Sequence, residues 1–206
     1  MAEFDVAVMS AHDRSAFLTA LVAPRPIAFV STLSAGGIGN LSPFSFFMAG
    51  GYNPMSVAFS PLRWRDGREK DTLRNVRATG EYVINVATYD IVEKLNQASY
   101  TYPTDVDEFD AAGFTRAPSL RVRPPRVAEA VAAMECRLFQ IVEHGVGGAA
   151  GSYVIGEVVH IHVRDEVLVN GVPDNRRIEH VARLGAVAFA RVTPATLFDL
   201  DRPIAP

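Results

Sequence analysis

The chain has 206 residues, 49% of them hydrophobic and 21% charged, enough apolar material for one sizeable core, so a single domain over 1–206 is expected. A formal charge of −3 and a pI near 5.9 provide no net basic field for phosphate-backbone binding, which argues against nucleic acid as a partner. Cys136 is the only cysteine, no basic-then-apolar leader opens the chain, and no apolar run approaches the roughly 18 residues of a spanning helix. These features predict a cytoplasmic protein with no disulfide and no membrane partner.

Asp13 is placed to cap a short helix running to about Val22, with Phe17, Leu18 and Leu21 at helical spacing, and Pro24 ends it. Residues 26–33 form a β-rich apolar run with little alternation, as in a strand covered on both faces. After a turn at 36–40, residues 41–48 interleave small hydroxyls with large aromatics, so that hydroxyls can face a polar ligand while the rings anchor the segment. A strand over 55–60 is closed by Pro61. Asp71 is placed to cap a helix from Thr72 to about Thr79, with Gly80 as its stop, and 82–86 reads as a third strand.

Ile91, Val92 and Leu95 mark another short helix. The polar stretch 99–125 is too long for an ordinary connection and reads as an ordered excursion or a lid over a site. Two long strands follow, about 133–143 and 152–164, joined by a glycine-rich hairpin at 145–151. In the second, Val159, Ile161 and Val163 alternate with His160, His162 and Arg164, the pattern of a half-exposed strand. Shorter strands at 167–169 and 186–192 precede a C-terminal tail at 194–206. Many strands with few, short helices predict a mainly β fold, a β-barrel with flanking helices, rather than a doubly wound parallel sheet.

Several motifs have a plain alternative. Gly145-x-Gly147-x-x-Ala150 mimics a dinucleotide fingerprint, but a strand follows it where the fingerprint needs a helix N-terminus, so a hairpin loop is the better reading. His160 and His162 could offer two imidazoles to a metal, yet no Cys, Asp or Glu stands at a familiar ligand spacing. No metal site is expected, and a solvated or dimer-facing surface is favoured. No nucleophile elbow or triad can be drawn. Ser60 at a strand end, Lys70, and the amides opening the 72–79 helix would together suit a phosphate. Equally, Asp71 could cap that helix beside a solvated basic loop of Arg63, Arg65, Arg68 and Lys70.

In order, these segments resemble the flavin-reductase-like, FMN-binding split-barrel family associated with flavoprotein oxygenases. The matching pieces are residues 25–32, 39–47 and 79–85, Lys70-Asp71-Thr72 with Asn75, Asp107-Glu108-Phe109 with Gly113-Phe114, Glu135-Cys136, 155–159, and Ala182-Arg183-Leu184-Gly185. The likeness spans about 20–193. It implies a split β-barrel homodimer with FMN near the subunit interface. By the same resemblance, the protein uses NADH or NADPH as electron donor to reduce flavin for a partner flavin-dependent oxygenase or another acceptor.

Carried over by position, the resemblance implies that Ser31 and Thr32 lie beside the cofactor. Asn40, Leu41, Ser42 and Ser45 would line the flavin ring, Ser60, Lys70 and Thr72 would hold the phosphate, and Arg183 would add an anion contact. His144 is a candidate for contacting the nicotinamide. The chain departs from the family pattern in two places. Ala186 and Phe189 stand where a glycine and a tyrosine are usual, and the 145–151 hairpin replaces a shorter, histidine-bearing turn. An FMN-binding electron carrier or flavin-holding module without its own nicotinamide site is the alternative.

Overall fold

A computed structural model describes residues Met1–Pro203; positions 204–206, the end of the expected tail, lie outside the described residues. In chain order the first half comprises α1 (Ala11–Leu21), β1 (Arg25–Pro26), β2 (Ala28–Leu33), β3 (Gly39–Phe44), β4 (Phe47–Tyr52), β5 (Met55–Phe59), α2 (Asp71–Thr79) and β6 (Glu81–Val86). Then come α3 (Val92–Gln97), α4 (Glu108–Ala111), β7 (Arg116–Ala117), β8 (Arg126–Val127), β9 (Ala132–His144) and β10 (Gly151–Val163). Short strands β11 (Leu168–Val169), β12 (Val172–Pro173), β13 (Val181–Arg183) and β14 (Phe189–Arg191) complete the chain.

Seven strands form one antiparallel sheet in the order β3-β2-β6-β9-β10-β5-β4. Its two edge strands, β3 and β4, are separated in the chain by only Ser45 and Phe46. The sheet must therefore curl until its edges meet, giving a barrel that is split along that seam. Inside lie Val30, Phe44, Phe59, Leu73, Tyr82 and Val154, with α2 packed as a plug. On the outer face, Phe29, Leu41, Leu95, Phe109 and Phe114 form a second core beneath α3 and the excursion. Because β2 feeds both cores, it shows no polar–apolar alternation.

Local chemistry corrects both expected caps. Ser10, not Asp13, caps α1: its Oγ accepts from the Asp13 amide at 3.1 Å and donates to the Asp13 carboxylate at 2.6 Å. At α2 the capping position is Lys70, and Asp71 is the first helical residue, its carboxylate paired with Arg74. Gly80 ends α2 at φ 69° as expected.

The 99–125 stretch is ordered and tethered. Asp107 accepts from the Gly39 amide at 3.0 Å, and Glu108 from the Leu41 amide at 3.2 Å. The fully buried Glu135 accepts from the amides of Leu120, Arg121 and Val122, and lies 2.6 Å from the His162 ring nitrogen. Burial works to raise the Glu135 carboxyl, but these donors hold it below the usual carboxylate value.

That contact also takes the His162 ring away from the solvated face expected for the two histidines. A bulge between Val158 and His160 sets His160 opposite Glu135 and Ile161 opposite Met134. The extra residue breaks the period-two alternation, so that Ile161 is exposed while His162 is half-buried.

Candidate functional site

The seam of the barrel builds the site. The Ser60 amide donates to the Phe46 carbonyl at 2.8 Å, fixing the end of β5 against the β3–β4 link. A cavity of about 360 Å³ opens there, lined by Arg25, Ser45, Phe46, Ser60, Lys70 and Arg183 among others, with Ser15 and Thr19 of α1 on one wall. Its lining contains three cations and no carboxylate.

Each cation is held differently. Arg25 is 5% exposed, yet it is the residue that opens the buried run into β2. Its Nη1 donates to the Thr19 and Val22 carbonyls at 2.6 and 2.7 Å, where the C-terminal end of the α1 dipole favours a cation. Nη2 donates to the Leu184 carbonyl at 2.9 Å, and Nε to Ser45 Oγ at 3.3 Å. Burial, then the neighbouring Arg183, pulls the Arg25 guanidinium below its usual pKa.

Lys70 has no carboxylate partner among the described residues; its Nζ lies 4.4 Å from the Trp64 ring centroid and 5.7 Å from that of Phe44. Burial lowers its pKa. Arg183 stacks 4.4 Å over Phe189 and donates to the Ala186 carbonyl at 2.6 Å. Phe189 thus supplies a stacking face where the family resemblance expects a phenol nearby. Ala186, where that resemblance expects a glycine, takes φ 49°.

The structure gathers Ser45, Ser60, Lys70 and Arg183 onto this cavity and holds the other named residues behind it. Asn40 Nδ2 donates to Thr72 Oγ1 at 2.8 Å, and Asn75 Nδ2 to Thr32 Oγ1 at 3.0 Å. These two bonds lock α2 to β3 and β2. Ser31 is fully buried and donates to the Pro125 carbonyl at 2.6 Å. Leu41 is fully buried with its amide on Glu108, and Ser42 is half-buried opposite Val30.

Two neighbouring cavities share walls with the first. One of about 140 Å³ shares Pro43, Ser45 and Arg183. One of about 310 Å³ shares Arg25, Ser45, Phe46 and Ser60, and adds the apolar side chains of Phe47, Met48, Phe59 and Tyr153. Ser45 borders all three. Cations suit a phosphate, and the flat apolar walls beside them suit an aromatic ring system, so the residues fit FMN. His144 is exposed; its ring stacks on Tyr153 at 6.3 Å, one side chain removed from this groove.

Arg25 was not among the sequence candidates. Its signal was present: a lone arginine opening a run buried on both faces must have its donors satisfied, and here carbonyls accept from them while the guanidinium keeps its charge beside the cavity.

A curled antiparallel sheet with a cation-lined cavity at its seam is a split barrel, and its likeness to known proteins places it in the class of flavin-related oxidoreductases. The model for the flavin reductase like domain matches residues 21–181, and the chain belongs to that family. A protein of Halalkalibacterium halodurans is 35% identical over 197 residues, covering 95% of this chain and 93% of the relative. Nitrilotriacetate monooxygenase component B from Bacillus cereus superposes with a TM-score of 0.91 at 28% identity, covering 97% of this chain and 98% of that one. A Shewanella frigidimarina protein, whose split barrel domain is assigned to the flavin reductases, gives a TM-score of 0.82 at 26% identity, over 98% and 100% of the two chains. Among the described residues, no helix is long and apolar enough to cross a membrane.

Proposed function

We propose that this chain is an NAD(P)H-dependent flavin reductase that binds FMN at the barrel seam and works as a homodimer. The observation that carries the reading is the convergence of Arg25, Lys70 and Arg183 with the hydroxyls of Ser45 and Ser60 on one carboxylate-free cavity. In this reading Ser60, Lys70 and Arg183 hold the phosphate, and the 43–47 backbone with Ser45 borders the ring. Thr32, Asn40, Thr72 and Asn75 act as positioning residues, because their paired side chains fix α2 against the sheet. Ser31 and Leu41 do the same for the excursion, through Pro125 and Glu108.

When bound, the flavin supplies a hydride acceptor at N5, so the chain needs no acid–base pair of its own. What the residues contribute is orientation and charge. Three cations offset the phosphate, and the apolar walls restrict water around the ring. Likeness to a monooxygenase component B supports delivery of reduced flavin to a partner oxygenase.

Dimerisation is supported by α1, which has no buried residue although it carries Phe17, Leu18 and Leu21. A second copy covering these side chains would sit beside the cavity wall formed by Ser15 and Thr19. Light scattering at micromolar concentration should give twice the chain mass; a monomer would refute the dimer.

The glycine hairpin favours one other reading. Its tip packs on the 63–67 loop, with the Ala149 amide donating to the Arg63 carbonyl at 3.3 Å, instead of presenting a histidine to the groove. This suits an FMN-holding electron carrier without a nicotinamide site. Purified protein with FMN should oxidise NADH or NADPH in steady state. Tight FMN binding with neither nicotinamide consumed would select the carrier, and a failure to take up FMN would refute both readings.

A further inference from the structure

A cavity of about 540 Å³ lies outside the FMN site, between the 63–70 loop and the start of the excursion, and the function above does not use it. Trp64 and Tyr102 supply aromatic faces, Thr101 a hydroxyl, and Arg65, Arg68 and Arg74 alternate with Asp66, Glu69 and Asp71 along the rim. The main chain at Trp64 and the side chain of Tyr102 are both held. The Trp64 amide donates to the Arg68 carbonyl at 2.9 Å. Tyr102 accepts from Gln97 Nε2 at 2.6 Å and packs edge-on against Tyr100 at 5.0 Å.

The charges in the lining are unequally matched. Asp66 pairs with Arg68 and Asp71 with Arg74, while Glu69 pairs with Arg63 and Arg77, neither of which lines the cavity. The lining's three arginines and three carboxylates balance formally, and Arg65, exposed with no ion-pair partner among the described residues, is the one arginine left to meet an anion. The cavity adjoins the phosphate end of the FMN site through one contact, Lys70 Nζ over the Trp64 ring at 4.4 Å. A ligand whose phosphates reach Lys70 would find two aromatic faces and a free arginine next along its path.

We propose that this cavity holds the adenylate half of a dinucleotide, its purine against Trp64 and Tyr102 and its phosphate toward Arg65, an inference that rests on the flavin-reductase reading. Flat rings bind purines by stacking, and the loss of one such stack weakens binding by about tenfold. The same chemistry is carried by the adenylate of NAD(P)H and by that of FAD, and the test separates them.

Trp64 is the only tryptophan of the chain, so its fluorescence reports this cavity directly. Titration with 5′-AMP should change that emission saturably, and Tyr102→Ala and Arg65→Ala should each weaken the apparent Kd about tenfold, with Tyr102→Phe close to wild type. If wild type prefers FAD to FMN and Tyr102→Ala abolishes the preference, FAD is the source. If both flavins bind unchanged in Tyr102→Ala while its KM for the nicotinamide rises about tenfold, the donor is the source. No saturable change up to millimolar AMP, or AMP binding unaltered in both alanine variants, overturns the proposal even when NAD(P)H is oxidised. Saturable AMP binding without NAD(P)H oxidation leaves the cavity assignment standing and defeats only the reductase reading.

Discussion

Replacing Lys70 by methionine tests the phosphate site most directly, since it keeps the apolar stem and removes the charge. The ammonium is half-buried among Phe44 and Trp64 with no carboxylate near enough to pair among the described residues. A unit charge pair at 4 Å in an effective dielectric near 20 is worth about 4 kcal/mol. Arg25 and Arg183 share the same anion, so the net loss is closer to that of one charge-assisted hydrogen bond, about 1.5–3 kcal/mol.

Lys70→Met should therefore weaken FMN binding by about 10- to 150-fold. Riboflavin has the same ring without the phosphate, and its affinity should change less than about threefold. Calorimetric or fluorescence titration of both flavins against wild type and variant measures the contrast. The free variant should unfold at the same urea concentration as wild type or slightly higher, because losing a cation–π contact of about 0.5–1 kcal/mol is offset by no longer desolvating an unpaired charge. Unchanged FMN affinity, or an equal loss for both flavins, refutes phosphate binding at Lys70.

Glu108 gives a pH prediction. Burial, reinforced by Asp71 and Asp107, raises its carboxyl to about 7 from an ordinary 4.5. Between those values the folded chain binds more protons than the unfolded one, so this group's contribution is complete below 4.5 and falls away as pH rises through 7. Glu108→Gln should flatten that dependence and stabilise the protein at pH 8 by about 1–2 kcal/mol, read from urea midpoints at pH 5 and 8; an unaltered profile would count against it. Gly39→Ala would place a Cβ 2.3 Å from the Asp107 carboxylate. It should cost about 1–3 kcal/mol by pushing the excursion off β3, visible as faster amide exchange across 105–112. Ala186→Gly relieves a left-handed residue at φ 49° and should raise stability by about 0.5–1 kcal/mol in thermal unfolding, whereas a loss would mean the alanine methyl makes a compensating contact.

Much of the fold was legible because it follows from short-range rules. The unalternating run into β2, the β9–β10 hairpin and the Gly80 stop all lie where periodicity and turn chemistry put them. Caps were misread by position, since Asp13 and Asp71 compete with Ser10 and Lys70 for a role that only backbone geometry assigns. The bulge after Val158 was equally invisible: nothing local marks the residue at which alternation changes face. Strand β13, which carries Arg183, is three residues long and is defined by its partners β1 and β14 rather than by its own pattern.

By itself the sequence determined the mainly β class and the family likeness carried by motifs such as 39–47 and Lys70-Asp71-Thr72, while 99–125 stood open as an ordered excursion or a lid. Class and likeness depend on residue type and spacing, which the chain states outright. Only the tertiary structure decided which polar residues face a common cavity and which face one another. Asn40 and Thr72 look like ligands in the sequence but bond to each other, whereas Arg25 is drawn in by carbonyls of α1 and of the chain beyond β13. The barrel closes where β3 meets β4, bringing together groups from positions 25, 45, 60, 70 and 183. No local rule relates residues that far apart; the curl of the sheet does.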